Sequence, residues 1–140
     1  MKILVINGPN LNMLGEREPE KYGNLSLVEI EQYTRDKIGT LAQLTWWQSN
    51  SESEIINKLH ALNKSDFDSL IINPAAFSHT SIAILDALKI LKIPIIEVHL
   101  TNVYRREHFR QQMLTAQASS IIMSGLGKDS YYFAVKAILK

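Results

Sequence analysis

Short apolar segments alternate with longer segments of helical periodicity along this chain of 140 residues. The apolar segments predict five strands, at residues 3–6, 44–48, 70–72, 95–100 and 120–123. Between them, apolar residues recur every three or four positions, which predicts helices. Strands alternating with helices are typical of a parallel sheet. The pattern therefore predicts a single α/β domain: a flavodoxin-like, doubly wound five-stranded parallel sheet with helices on both faces.

Two of the predicted helices begin at capping sequences. Ser26 is followed three residues later by Glu29, and Ser51 is followed by Glu54. The apolar stripe of the first helix consists of Leu27, Ile30, Ile38 and Leu41. Further helices are predicted from about residue 80, over residues 107–114, and after Gly127 through the last residues of the chain.

Composition narrows the function classes. Fifteen basic residues against fourteen acidic ones leave a net charge of +1, so we expect no broad nucleic-acid or membrane surface. The absence of cysteine excludes disulfides, thiolate metal sites and a cysteine nucleophile. The first apolar run, residues 2–6, is too short for a signal sequence or a membrane span, so a cytoplasmic protein is expected.

The carboxyl ends of three predicted strands carry polar residues. In a doubly wound sheet, ligands bind at this edge, where the strand order reverses. Strands one, three and four end at Asn7, Asn73 and His99. Free N–H groups at the start of the helix after Asn73 would also favour an anion.

The loop after strand one is unusually long. It spans residues 7–23, whereas most strand-to-helix loops have about two to six residues. A guanidinium from Arg17 held near Tyr22 would favour the phenolate and make this tyrosine a general base. The alternative is a tyrosine that packs and an arginine in water. The loop lacks the lysine and hydroxyl of a phosphate-binding loop, which disfavours a nucleotide site.

Glu97 and His99 are two residues apart on strand four, so they share one face of the sheet. A carboxylate beside an imidazole fixes its tautomer and keeps a proton available, which suits a general acid. The alternative is a purely structural pair. A metal site is not expected. Beside Glu97 and His99, His79 is the one obvious further ligand, and it lies on a separate loop, so no metal-ligand spacing can be recognised. No lysine falls at a strand end, which disfavours Schiff-base chemistry.

Arg105, Arg106 and Arg110 form a basic cluster beyond strand four, and Arg106 and Arg110 are one helical turn apart. Most such residues are solvated. One of the three could contact an anionic or hydroxylated substrate.

Four segments, GPNLNMLGEREPEKYG, NPAAFSHTSIAILDAL, EVHLTN and REHFR, together resemble the type II 3-dehydroquinate dehydratases. The resemblance implies reversible dehydration of 3-dehydroquinate to 3-dehydroshikimate in the shikimate pathway. It implies an anti elimination through an enol or enolate, without cofactor, metal or Schiff base. It also implies a homo-oligomer, a dodecamer built from trimers.

The resemblance assigns roles to individual residues. Tyr22 would abstract the C2 proton, Arg17 would favour its phenolate, and Asn12 would help to stabilise the enolate. His99 would protonate the departing C1 hydroxyl, with Glu97 orienting it. The implied substrate-binding residues are Asn73, the backbone N–H groups of Leu100 and Thr101, His79, Arg110, Asn10, and Asp86 reaching a neighbouring subunit's site.

The chain departs from the family pattern at two places. Ala75 replaces a usual glycine, which matters if the backbone there requires a positive φ. Residues 111–113 and 115–117 also differ, including a missing proline, which we expect to affect local packing more than catalysis. Two other functions remain open on the sequence: a flavodoxin-like nucleotide- or flavin-binding module and, less favoured, a receiver domain, which would need acidic residues after strand one.

Overall fold

A computed structural model describes residues 1–16, 18, 20 and 23–140 of the chain. Its five strands form one parallel sheet, as predicted. The strands are β1 (Lys2–Asn7), β2 (Gln43–Gln48), β3 (Ser69–Asn73), β4 (Ile95–His99) and β5 (Ile121–Ser124). Their order across the sheet is β2-β1-β3-β4-β5.

Helices follow β1, β2, β3 and β5 at the predicted places. They are α1 (Leu27–Ile38), α2 (Glu52–Leu62), α3 (Phe77–Thr80), α4 (Ile82–Ile90) and α5 (Ser130–Ile138). At the start of α1, Ser26 and Glu29 form the reciprocal capping box that the sequence predicts. Ser51 likewise accepts a hydrogen bond from the Glu54 N–H at the start of α2. None of the helices in the described part of the chain has the length and apolar character needed to span a membrane.

The core lies on both faces of the sheet because successive side chains of a strand point to opposite sides. Ile3 and Val5 of β1 pack with α1 and α5 on one face. Leu4 and Ile6 pack with α2 and α4 on the other face. All five residues of β3 are buried, since this strand is central and covered on both sides.

Two predictions about the helices were wrong. Residues 107–114 do not form an α-helix; the 3-10 turn His108–Arg110 lies in this range, and a second one, Thr115–Ala118, follows it. Leu41 does not belong to the buried stripe of α1 and is 57% exposed. The helix ends earlier because Gly39 adopts a left-handed φ of 57° and turns the chain away.

The strand order reverses between β1 and β3. The chain moves outward from β1 to β2, then crosses back to place β3 on the other side of β1. Asn7 and Asn73 are register partners at the carboxyl ends of these two strands. The fold therefore brings two of the predicted polar strand ends side by side at the switch point.

The backbones beyond these strand ends approach closely. The Gly8 N–H donates to the Asn73 carbonyl oxygen over 2.8 Å. A side chain at Gly8 would place its Cβ 2.5 Å from the Pro74 carbonyl oxygen, so glycine is required there. Two residues after Asn73, Ala75 has a φ of 52°, in the left-handed region that favours glycine.

We predict that Ala75→Gly raises the free energy of unfolding by up to about 1 kcal/mol, since it relieves the left-handed strain at some cost in chain entropy. Urea denaturation measures the change. The matched control is Ala76→Gly, because Ala76 has an ordinary helical φ of −59° and should lose stability. Equal losses in both variants would contradict the assignment of strain to Ala75.

Candidate active site

A small open cavity of about 50 Å³ lies at the carboxyl edge of the sheet. Six of the residues assigned to the site by resemblance line it: Asn73, His79, His99, Leu100, Thr101 and Arg110. Leu11, from the first loop, and Arg106 also line it. Apart from Leu11, the lining residues come from β3, α3 and β4 and from the segments that follow them.

His99 and Glu97 are in contact beside this cavity. The His99 Nε2 lies 3.0 Å from the Glu97 Oε2. Both side chains are buried, Glu97 completely. Because a carboxylate accepts hydrogen bonds, the Nε2–H is the donor, and Nδ1 is the ring nitrogen left for a ligand.

Two hydroxyl groups hold the same carboxylate. The Ser78 Oγ donates to the Glu97 Oε2 over 3.1 Å, and the Thr115 Oγ1 donates to the Glu97 Oε1. The two hydroxyl oxygens are themselves 3.1 Å apart. Glu97 thus has donors on both oxygens, which is the arrangement that stabilises an ionised carboxylate in a buried position.

Sequence reasoning missed both hydroxyl residues. Ser78 gives no signal of a site in the sequence, and Thr115 lies in a segment whose departure from the family pattern is expected to affect local packing more than catalysis. Neither the periodicity nor the spacing of these two residues indicates a contact with Glu97. A hydrogen bond between a hydroxyl and a carboxylate from distant parts of the chain has no sequence motif.

The ionised Glu97 balances the positive charge that His99 carries when its second proton is bound. With Nε2–H bound to Glu97, the second proton lies on Nδ1. His99 can then donate this proton to a leaving group in the cavity while the carboxylate keeps the ring oriented.

His79 also lines the cavity, and its ring centroid is 6.0 Å from that of His99. Its Nδ1–H donates to the Gln112 carbonyl oxygen over 2.9 Å. Burial lowers the pKa of His79, and the charges of His99 and Arg110 lower it further. A neutral His79 presents Nε2 as an acceptor for a hydroxyl group.

The cavity also holds guanidinium groups. The Arg110 Nε donates to Glu107 over 2.8 Å, and the Arg106 Nη1 donates to the Thr101 Oγ1 over 3.2 Å. The Arg106 side chain is only 9% exposed. From the basic cluster in the sequence, the structure thus selects Arg106 together with Arg110. Two guanidiniums at a cavity favour an anionic ligand.

Several assigned residues are not brought to this cavity. Asn12 lines a different groove, together with Trp46 and Trp47. Asn10 is exposed, and its N–H donates to the Asn50 side chain over 2.9 Å. Asp86 is exposed on α4. Tyr22 and Arg17 lie outside the described residues.

We predict that Thr115→Val lowers the free energy of unfolding by about 1–3 kcal/mol, because it leaves a buried carboxylate oxygen without its donor. Valine keeps the shape of threonine, so packing changes little. Thr115→Ser keeps the hydroxyl and should retain most of the stability. Urea denaturation of the three proteins measures the effect; an unchanged Thr115→Val variant would contradict the role of this hydrogen bond.

Known proteins resemble this chain over nearly its whole length. The family described as Dehydroquinase class II matches residues 1–139. A 3-dehydroquinate dehydratase from Proteus mirabilis is 49% identical over 136 residues, which cover 96% of this chain and 92% of that protein. A second one, from Clostridium botulinum strain Hall, is 47% identical over 138 residues, which cover 98% of this chain and 93% of that protein. The crystal structure of type II dehydroquinase from Butyrivibrio crossotus superposes with a TM-score of 0.97 at 38% identity, covering 100% of this chain and 98% of the other. The chain belongs to the class II dehydroquinase family.

Proposed function

We propose that this protein catalyses the reversible dehydration of 3-dehydroquinate to 3-dehydroshikimate, a step of the shikimate pathway. The observation that carries the proposal is the buried Glu97–His99 pair at the cavity of a chain that matches class II dehydroquinases over residues 1–139. An imidazole held by an ionised carboxylate supplies the acid that a departing hydroxyl requires.

The proposed reaction is an anti elimination. The Tyr22 phenolate, favoured by the Arg17 guanidinium, takes the C2 proton, and the electrons of the C–H bond form an enolate, which Asn12 helps to stabilise. The enolate then re-forms the ketone and a C1–C2 double bond. The C1–O bond breaks, and the His99 Nδ1–H protonates the leaving hydroxyl to give water. The roles of Tyr22, Arg17 and Asn12 rest on the resemblance of their segment to the family.

The substrate is an anion with ring hydroxyls, and the cavity offers groups for both. Asn73 and the backbone N–H groups of Leu100 and Thr101 bind its carboxylate. Ring hydroxyls bind to the neutral His79 and to Arg110. Asn10 shapes the first loop around the substrate. We add Arg106 to the residues assigned by resemblance, because its nearly buried guanidinium lines the same cavity.

Product formation tests the proposed function. We expect 3-dehydroquinate to give the ultraviolet absorbance of a conjugated enone when the protein is added. His99→Ala should lower kcat by about 10²–10⁴-fold, the usual contribution of a general acid. His108→Ala is the control, since His108 is exposed on a 3-10 turn and should turn over normally. No absorbance rise with the wild-type protein would refute the function, and near-normal turnover by His99→Ala would remove this residue from the mechanism.

We also propose that the protein assembles into a dodecamer built from trimers, with Asp86 reaching a neighbouring subunit's site. Apolar side chains at one edge of the sheet support an assembly: Ile121 and Ile122 of β5 are 37% and 43% exposed. Phe133 of α5 is 45% exposed. Large apolar residues exposed on an edge strand and on the helix that follows it are typical of contact surfaces. Asp86 is exposed and free to meet another chain.

Light scattering during gel filtration tests the assembly. Twelve chains of 15.9 kDa predict a particle of about 190 kDa. Ile122→Lys, which places a charge on the exposed edge, should shift the particle to smaller species. Lys64→Glu is the control, because Lys64 is exposed and distant from β5 in the chain. A wild-type monomer would refute the proposal.

The domain organisation and the cellular location of the enzyme can also be proposed. We propose that residues 1–140 act as one catalytic domain, which the single sheet shared by all five strands supports. We propose a cytoplasmic location, which suits an enzyme of this pathway and a chain without cysteine.

A further inference from the structure

A tyrosine of the last helix lies beneath the cavity and has no part in the proposed reaction. Tyr131 of α5 is fully buried. Its hydroxyl oxygen lies 2.5 Å from the Asn7 Oδ1 and 3.1 Å from the Asn73 Nδ2. The hydroxyl thus bridges the side chains that end two neighbouring strands at the switch point.

The directions of these hydrogen bonds are determined by the atoms involved. Tyr131 has one O–H, and the Asn7 Oδ1 can only accept, so the proton lies toward Asn7. Toward Asn73 the hydroxyl oxygen can then only accept, which requires the Asn73 Nδ2–H as donor. The Asn73 Oδ1 accepts from the Ala75 N–H over 3.1 Å, which requires the same amide orientation.

The residues around Tyr131 fix the position of its hydroxyl and keep the hydroxyl protonated. The Trp46 ring packs against the Tyr131 ring with centroids 4.7 Å apart. Ala134 and Val135 anchor the same helix in the core. Burial raises the pKa of Tyr131 far above that of a free tyrosine, so the hydroxyl keeps its proton and does not act as a base.

The side-chain amide nitrogen of an asparagine carries two N–H groups, and one N–H of Asn73 donates its hydrogen bond to Tyr131. Asn73 also lines the cavity. The second N–H is therefore available to a ligand, and the amide cannot turn its oxygen toward the cavity without breaking both hydrogen bonds. A fixed donor at this position suits a negatively charged or hydroxyl oxygen.

We propose that Tyr131 is a positioning residue: through its hydrogen bonds to Asn7 and Asn73, it makes Asn73 a fixed hydrogen-bond donor to the substrate carboxylate. The inference rests on the proposed function, since it takes Asn73 as a substrate-binding residue. It adds a residue that does not touch the substrate and that lies 58 residues after Asn73 in the chain.

Tyr131→Phe tests the inference. We expect KM for 3-dehydroquinate to rise about tenfold while kcat changes by less than about threefold, because a binding contact is weakened and the proton-transfer groups are unaltered. The pH profile of kcat should not change. The matched control is Tyr132→Phe: Tyr132 is the next residue of α5, is only partly buried, and should keep both constants. An unchanged KM, or an equal fall in kcat, would overturn the inference.

A double-mutant cycle shows whether Tyr131 acts through Asn73. In an Asn73→Ala background, Tyr131→Phe should have no further effect on KM, since the positioned amide is gone. Additive effects would overturn the inference. If Tyr131→Phe does not fold, Asn7→Ala tests the same chain from its other end, because it removes the acceptor that directs the Tyr131 proton. We expect a similar rise in KM; no rise would overturn the inference.

A binding measurement separates this inference from the proposed function. Quinate carries the carboxylate and ring hydroxyls but lacks the ketone, so it cannot react through an enolate. Calorimetric titration should show about tenfold weaker quinate binding to Tyr131→Phe than to the wild type. Weaker binding without any wild-type turnover of 3-dehydroquinate would refute the dehydratase and support the role of Tyr131. Equal binding with normal wild-type turnover would overturn the role of Tyr131 alone.

Discussion

A carboxylate buried inside the sheet imposes the strongest constraint on this structure. A charged Glu97 without partners would cost several kcal/mol, so the fold must bring donors to it. The donors come from His99 on the same strand, from Ser78 on α3 and from Thr115 beyond β4. These hydrogen bonds to one carboxylate therefore join three segments of the chain, and they hold His99, which forms one wall of the cavity.

The switch point of the sheet supplies the other wall. Asn7 and Asn73 end neighbouring strands, and the close approach of Gly8 to Asn73 and Pro74 holds these ends together. Tyr131 bonds to both asparagine side chains from below. The last helix of the chain thus supports the edge of the sheet where the ligand is proposed to bind.

Charge and strain are both concentrated at this edge. Arg106 and Arg110 bring positive charge to the cavity, while His79 is kept neutral by burial and by its cationic neighbours. Ala75 holds a left-handed backbone conformation directly after the Asn73–Pro74 turn. Strained residues of this kind occur where the surrounding structure fixes the geometry of a functional site.

The strands, most helices and the shared face of Glu97 and His99 follow from the amino-acid sequence alone, because strand and helix periods and capping sequences are local. The sequence did not reveal Thr115 or Tyr131. Thr115 is 18 residues from its partner Glu97 in the chain, and Tyr131 is 124 residues from its partner Asn7. A hydroxyl has no periodicity that points to a distant acceptor, so the partners of these buried polar groups are defined by the packing of the folded chain. The tertiary structure also decided that Leu41 faces solvent, because a left-handed glycine ended the helix before the apolar pattern did.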